Sequence, residues 1–169
     1  MSKTVKQQSL ALIGFIALSI AVAALGSLFT LNNVEGWYAE AEKVAWNPPN
    51  WLFAPAWSTL YALIALAVWL IWRKTDAVDP KDRSAALKTY WIQLVLNAIW
   101  TPMFFGGYPV FGAAALWLGL VIIVCLAVSI ILLIRNYHHI SPLAAWLMVP
   151  YLLWILFATS LNAGVAILN

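Results

Sequence analysis

Apolar residues fall in five long runs, roughly Leu10–Leu31, Trp51–Trp72, Tyr90–Phe105, Phe111–Ile134 and Pro142–Leu168. Each is near or above the roughly 20 residues that carry a helix across the hydrocarbon of a bilayer, the third being the shortest. Barrel strands would read as about ten residues alternating inward and outward, whereas these runs show almost no alternation, which predicts helices. The expected fold is an all-α integral membrane protein: one domain over residues 1–169, a single bundle of five transmembrane helices with a connector over residues 32–50.

Two breaks punctuate the pattern. Asn47-Pro48-Pro49-Asn50 cannot continue a helix, because proline lacks the amide donor and restricts the residue before it. Gly106-Gly107-Tyr108-Pro109 reads as an uncharged four-residue turn, making the third and fourth spans an antiparallel hairpin. The segment 73–89 mixes both charge signs and reads as a solvated connector.

Composition agrees: 64% hydrophobic and 9% charged residues leave too little polar surface for a water-soluble globule of 169 residues. Charge then orients the bundle. Lys3 and Lys6 precede the first span, Arg73, Lys74, Lys81, Arg83 and Lys88 lie between the second and third, and Arg135 follows the fourth. Only Lys43 falls on the opposite side, so the positive-inside rule places the N-terminus in the cytoplasm and the C-terminus outside. Nothing resembles the clustered basic face of a nucleic-acid binder. The start of the chain imitates a signal peptide, but its apolar run continues to Leu31 and reads as a retained helix. The single cysteine, Cys125, reads as a small buried apolar residue.

Candidate chemistry gathers in the outer half. Gln93, Asn97, Trp100, Thr101 and Phe104 share a face of the third span. Gln93 and Asn97 fit equally well as amides bonding a neighbouring helix and as amides facing a ligand. Trp57 lies about 9 Å into the second span. Trp154, Ala158, Leu161 and Asn162 share a face of the fifth, with Tyr151 nearby. An interfacial aromatic belt accounts for Trp51, Trp72, Trp91 and Trp146, but not for the deeper Trp57, Trp100 and Trp154. The expectation is an aromatic pocket beneath the connector WYAEAEKVAWNPPNW, with Trp37 and Tyr38 free to swing over it. Pro55, Pro102 and Pro150 would bend its walls. Ala115 and Gly119 form a small-xxx-small pair suited to a dimer seam. No acid–base dyad, nucleophile or metal cluster stands on the pocket side, and His138 and His139 read as interfacial loop histidines.

WYAEAEKVAWNPPNW, PAWSTLY (55–61), QLVLNAIWTPMFFG (93–106) and SPLAAWLMVPYLLWILFATSLN (141–162), in this order and spacing, closely resemble the translocator protein family. The family is also called tryptophan-rich sensory proteins, TspO/MBR, or peripheral-type benzodiazepine receptors. The resemblance implies a five-helix bundle, usually a homodimer, that binds porphyrins such as protoporphyrin IX, or haem, and other hydrophobic small molecules, among them isoquinoline ligands. The pocket is closed by the first loop, and no cofactor is required. By that resemblance the ligand-binding residues are Trp37, Tyr38, Pro48, Trp57, Asn97, Trp100, Trp154, Ala158 and Leu161, to which the reading of the fifth span adds Tyr151. Trp57 and Trp154 match the pair on which light-dependent porphyrin breakdown depends in some bacterial members. The resemblance thus implies a membrane porphyrin-binding sensor or translocator; the alternatives are a light- and oxygen-dependent porphyrin-degrading enzyme and a porphyrin transporter. The family's animal members carry a cholesterol-recognition motif after the LN pair. Here Asn162 is followed by AGVAILN, lacking its tyrosine and arginine, which points to a bacterial member in the cytoplasmic membrane.

Overall fold

A computed structural model of the protein describes residues 3–74 and 78–169. Five of its helical stretches are long and apolar enough to cross a membrane. Helix α1 (Val5–Val34) starts at a capping box in which the Thr4 hydroxyl accepts from the Gln7 amide and the Gln7 side chain accepts from the Thr4 amide. A one-turn helix, α2 (Trp37–Glu40), follows within the connector. The prolines at 48 and 49 keep the chain non-helical until a 3-10 turn at Asn50–Leu52 leads into α3 (Phe53–Lys74).

Helix α4 (Pro80–Thr101) is capped by the Asp79 carboxylate, which accepts from the Lys81 amide, with Pro80 in the first turn where no amide donor is needed. It continues through a π-helical turn at Pro102–Gly106 into the short α5 (Gly107–Phe111). Helices α6 (Ala113–Ile140) and α7 (Pro142–Leu168) complete the bundle.

Helices alternate in direction, so the chain has a basic end and a connector end. At the basic end the Lys3 ammonium lies 4.6 Å from the Trp72 ring, the Trp69 indole donates to the Gln8 carbonyl, and Asn136 of α6 reaches Thr89 of α4. At the connector end Asn169 exchanges hydrogen bonds with the Glu42 backbone.

Several sequence expectations change. The third span is not the short Tyr90–Phe105 segment, since α4 begins at Pro80 and its helical path runs to Phe111. Pro80–Lys88, read as part of a solvated connector, forms the first turns of α4; Thr75, Asp76 and Ala77 of that connector lie outside the described residues. The reversal expected at 106–109 is made instead by Gly112, whose φ of +58° lies where a side chain is rarely tolerated. Pro109 survives inside a helix because the carbonyl it leaves without a donor, that of Phe105, is taken by the Trp37 indole at 2.9 Å.

Ala115 and Gly119 face inward and form no outer seam. A Cβ on Gly119 would stand 3.3 Å from Asn162 Oδ1, and the Ala115 methyl packs against Gly107. Cys125, expected to be buried, is exposed on the outer face of α6.

The basic half has a packed core of Ile64, Val68 and Ile71 from α3, Leu126, Ile130 and Leu133 from α6, and Met148 from α7. Much of the outside is apolar as well, including Val121, Val128, Ile131 and Leu132 of α6, the surface expected where lipid is the solvent. Helix α1 is the most peripheral, burying only Ser19 and Val22.

Candidate functional site

The connector half holds a cavity of about 480 Å³, within the range of small-molecule pockets. Its aromatic wall comes from Trp57 and Tyr61 of α3 and Trp100 and Phe104 of the α4 path. Ala158 and Leu161 of α7 close one side, and Gly26 and Thr30 of α1 the other. Tyr38 of the connector also lines it.

The wall rings are ordered against one another. Trp57 stacks on Tyr61 with centroids 5.5 Å apart, and lies 6.3 Å from Trp100, which in turn stacks on Phe104 at 5.9 Å. Trp100 is fixed further by its indole, which donates to Asn162 Oδ1 at 3.1 Å, while Asn162 Nδ2 donates to the Leu116 carbonyl of α6. One asparagine thereby ties α4, α6 and α7 together behind the wall.

Most hydroxyls on the wall are already committed. Those of Ser27, Thr30 and Ser58 donate to carbonyls one turn back in their own helices. Among the described residues the Trp57 indole N–H and the Thr101 hydroxyl have no hydrogen-bond partner. The lining contains no ionisable group apart from Tyr38 and Tyr61, so the cavity favours an uncharged, flat or apolar body.

Five of the ten candidate binding residues line this space: Tyr38, Trp57, Trp100, Ala158 and Leu161. Asn97 stands one layer back. Its Oδ1 accepts from the Tyr61 hydroxyl at 2.7 Å, its Nδ2 donates to the Tyr151 hydroxyl at 2.7 Å, and Tyr151 donates on to Gln93 Oε1 at 3.2 Å. The two amides that spacing left open between packing and recognition thus join α3, α4 and α7, and Tyr61 presents this chain to the cavity. Trp154 packs edge-on against Phe53 at 5.9 Å and beside Phe157, off the cavity wall, with its indole N–H buried and unpartnered.

Trp37 is docked, not free over the cavity. Besides its bond to Phe105, it stacks on Tyr108 at 4.1 Å and packs against Phe104. Tyr38 is buried and donates to Asn47 Oδ1 at 3.1 Å, and burial raises its phenol pKa above the ordinary value. The rest of the connector is docked on α7: the Trp46 indole donates to the Ser160 hydroxyl, Val44 sits against Gly164 with no room for a Cβ, and Glu42 pairs with Asn169. Pro48 lines a shallow recess outside the cavity, with Lys43, Asn47 and Pro49. His138 and His139 are exposed at the basic end, away from the cavity.

Sequence reasoning missed Tyr61 and the contributions of α1. The one signal for α1 was its run of small and hydroxyl residues, Gly26, Ser27 and Thr30, near the connector end.

The sequence profile of the TspO/MBR family matches residues 15–168. The tryptophan-rich protein TspO of Archaeoglobus fulgidus is 39% identical over 160 residues, covering 95% of this chain and 97% of the relative. The translocator protein of Sus scrofa is 37% identical over 145 residues, covering 83% and 82%. The tryptophan-rich protein TspO of Chlorobaculum tepidum is 34% identical over 167 residues, covering 96% and 98%.

Proposed function

The chain belongs to the TspO/MBR family, and from that premise we propose that it binds porphyrins in the cavity beneath its first connector, as a membrane sensory or translocator protein. One observation carries the reading: a cavity walled by Trp57, Tyr61, Trp100 and Phe104 and lined also by the connector's Tyr38. A tetrapyrrole is a wide, flat π system, and aromatic walls hold such a plane by stacked and edge contacts with little loss of side-chain entropy. The unpartnered Trp57 N–H and Thr101 hydroxyl would bond polar atoms of the ligand. The proposal places the protein in a bacterial cytoplasmic membrane with its basic end inward, supported by the basic residues gathered at that end. It includes a homodimer whose seam avoids the inward-facing Ala115 and Gly119.

The test is titration of the purified protein with protoporphyrin IX in the dark, read by tryptophan fluorescence, followed by illumination in air. Saturable quenching, weakened at least several-fold by Trp57→Ala, supports the reading. Quenching that never saturates, or that Trp57→Ala leaves unchanged, contradicts it. A new absorption band that appears only in light and depends on Trp57 would turn the assignment toward photo-oxidative breakdown of the porphyrin.

A further inference from the structure

Outside the cavity, on the far side of Tyr38, lies the recess that contains Lys43. Tyr38 and Asn50 line both spaces, so the two are adjoining compartments that share these side chains. Lys43 is also the one lysine or arginine at the connector end of the bundle. Its ammonium lies 4.9 Å from the Tyr38 ring centroid. An ammonium has three donors. Two are held by the carbonyls of Ala39, at 3.2 Å, and Ala41, at 2.9 Å. Among the described residues no carboxylate pairs with it, although the exposed Glu40 and Glu42 flank it in sequence. Two carbonyls and a ring face therefore hold one positive charge beside the cavity, with a donor unused.

The cavity beneath has the opposite character. Its wall offers no cation, and a carboxylate drawn into it would be desolvated with only the neutral Trp57 N–H and Thr101 hydroxyl to bond it and no charge to pair it. An acid with an apolar body is best satisfied if the body enters the cavity and the carboxylate stays at the rim on the Lys43 ammonium, where the hydrogen bond is charge-assisted. We propose that Lys43 is a carboxylate-binding site, and that cavity and recess together take an amphipathic organic acid. The inference deepens the porphyrin reading by assigning a propionate to Lys43, and it rests on that reading only for the choice of first probe. The rival is a phosphate from a lipid headgroup, which would engage Lys43 whatever occupied the cavity.

The experiment compares protoporphyrin IX with its dimethyl ester on the parent protein, Lys43→Met and Lys43→Arg, all in phosphatidylcholine nanodiscs and checked for parental melting. Methionine keeps the apolar stem and deletes the charge, while arginine keeps the charge. The expected result is tighter binding of the acid than of the ester by the parent. Lys43→Met should lose roughly five- to ten-fold in affinity for the acid, keep its affinity for the ester, and abolish the salt dependence of acid binding. Lys43→Arg should behave as the parent. A dansylated fatty acid and its methyl ester form a second pair. If neither porphyrin binds but this pair shows a Lys43-dependent preference for the acid, the porphyrin reading falls and the carboxylate site stands. If Lys43→Met weakens acid and ester equally, or weakens neither in both pairs, the carboxylate site is overturned and Lys43 is left as a headgroup contact.

Discussion

The indole of Trp37 donates to the Phe105 carbonyl at 2.9 Å, an acceptor left open because Pro109, one turn on, has no amide to offer it. The connector is thus anchored on a defect in the helix it covers. Trp37→Phe removes this bond while keeping the stacking on Tyr108, and should loosen the connector by about 1 kcal/mol. Amide hydrogen exchange of residues 37–47 should quicken several-fold, with the helices unchanged. Trp37→Ala, which also loses the ring, should speed ligand release more than it slows capture, costing about 1–3 kcal/mol in affinity.

On the α7 side, a Cβ at Gly164 would overlap Val44. Gly164→Val should displace the 42–47 segment and break the pairing of Glu42 with Asn169 nearby, while the helix itself gains propensity. The measurement is limited proteolysis of the connector, expected to accelerate with little change in thermal unfolding of the bundle. Equal loss of both would show that the connector is part of the folding core.

The chain from Tyr61 through Asn97 and Tyr151 to Gln93 predicts that Asn97→Ala is costly for stability first and for binding second. The buried Tyr151 hydroxyl loses the donor it accepts from while keeping its bond to Gln93, and the part-buried Tyr61 hydroxyl loses its acceptor, for a loss of about 1–3 kcal/mol in all. Tyr61→Phe breaks a single link in the same chain and should destabilise by less. Denaturant or thermal unfolding of both single variants and the double variant, treated as a cycle, should give a coupling energy clearly different from zero.

Tyr38 should give the connector an alkaline pH response. Burial raises its phenol above the ordinary value of 10.0, so the folded state holds this proton more tightly than the unfolded state does. The stability it contributes is therefore fully present below about pH 10 and is lost as pH rises through the folded value. Connector docking, followed by hydrogen exchange corrected for intrinsic rates or by a fluorescent label, should be flat with respect to Tyr38 from neutral pH to about 10 and weaken above it. In Tyr38→Phe that alkaline loss should be reduced by the part that Tyr38 contributes.

The five spans were legible because apolar length alone decides what can cross a bilayer, and the break at Pro48-Pro49 because proline leaves few alternatives there. The turn after the third span was misplaced. Pro109 reads as a helix breaker in isolation, and the indole that satisfies its orphaned carbonyl comes from residue 37, distant in sequence. The same kind of blindness affects Asn97: one-helix periodicity puts it on an inward face, but its covering partners, Tyr61 and Tyr151, belong to other helices. It also affects Ala115 and Gly119, whose spacing fits a seam between copies equally well as the close approach of α5, α4 and α7 within one. Helix α1 shows almost no polar phase along its apolar run, so the face it turns to the cavity could not be read.

The central claim is that the space between Trp57, Trp100 and Ala158 is where the ligand sits, and filling it is the most direct test. Ala158→Phe adds a ring from the α7 wall. Gly26→Val adds bulk from the α1 wall, where the nearest side-chain atoms to a new Cβ are those of Thr101 at 3.6 Å. Trp146→Ala, at an exposed position on the basic end of α7, is the control. Dark titration with protoporphyrin IX should show affinity falling at least ten-fold in both filled variants and unchanged in the control, all three melting as the parent does. If the filled variants bind as tightly as the parent, the cavity is not the binding site.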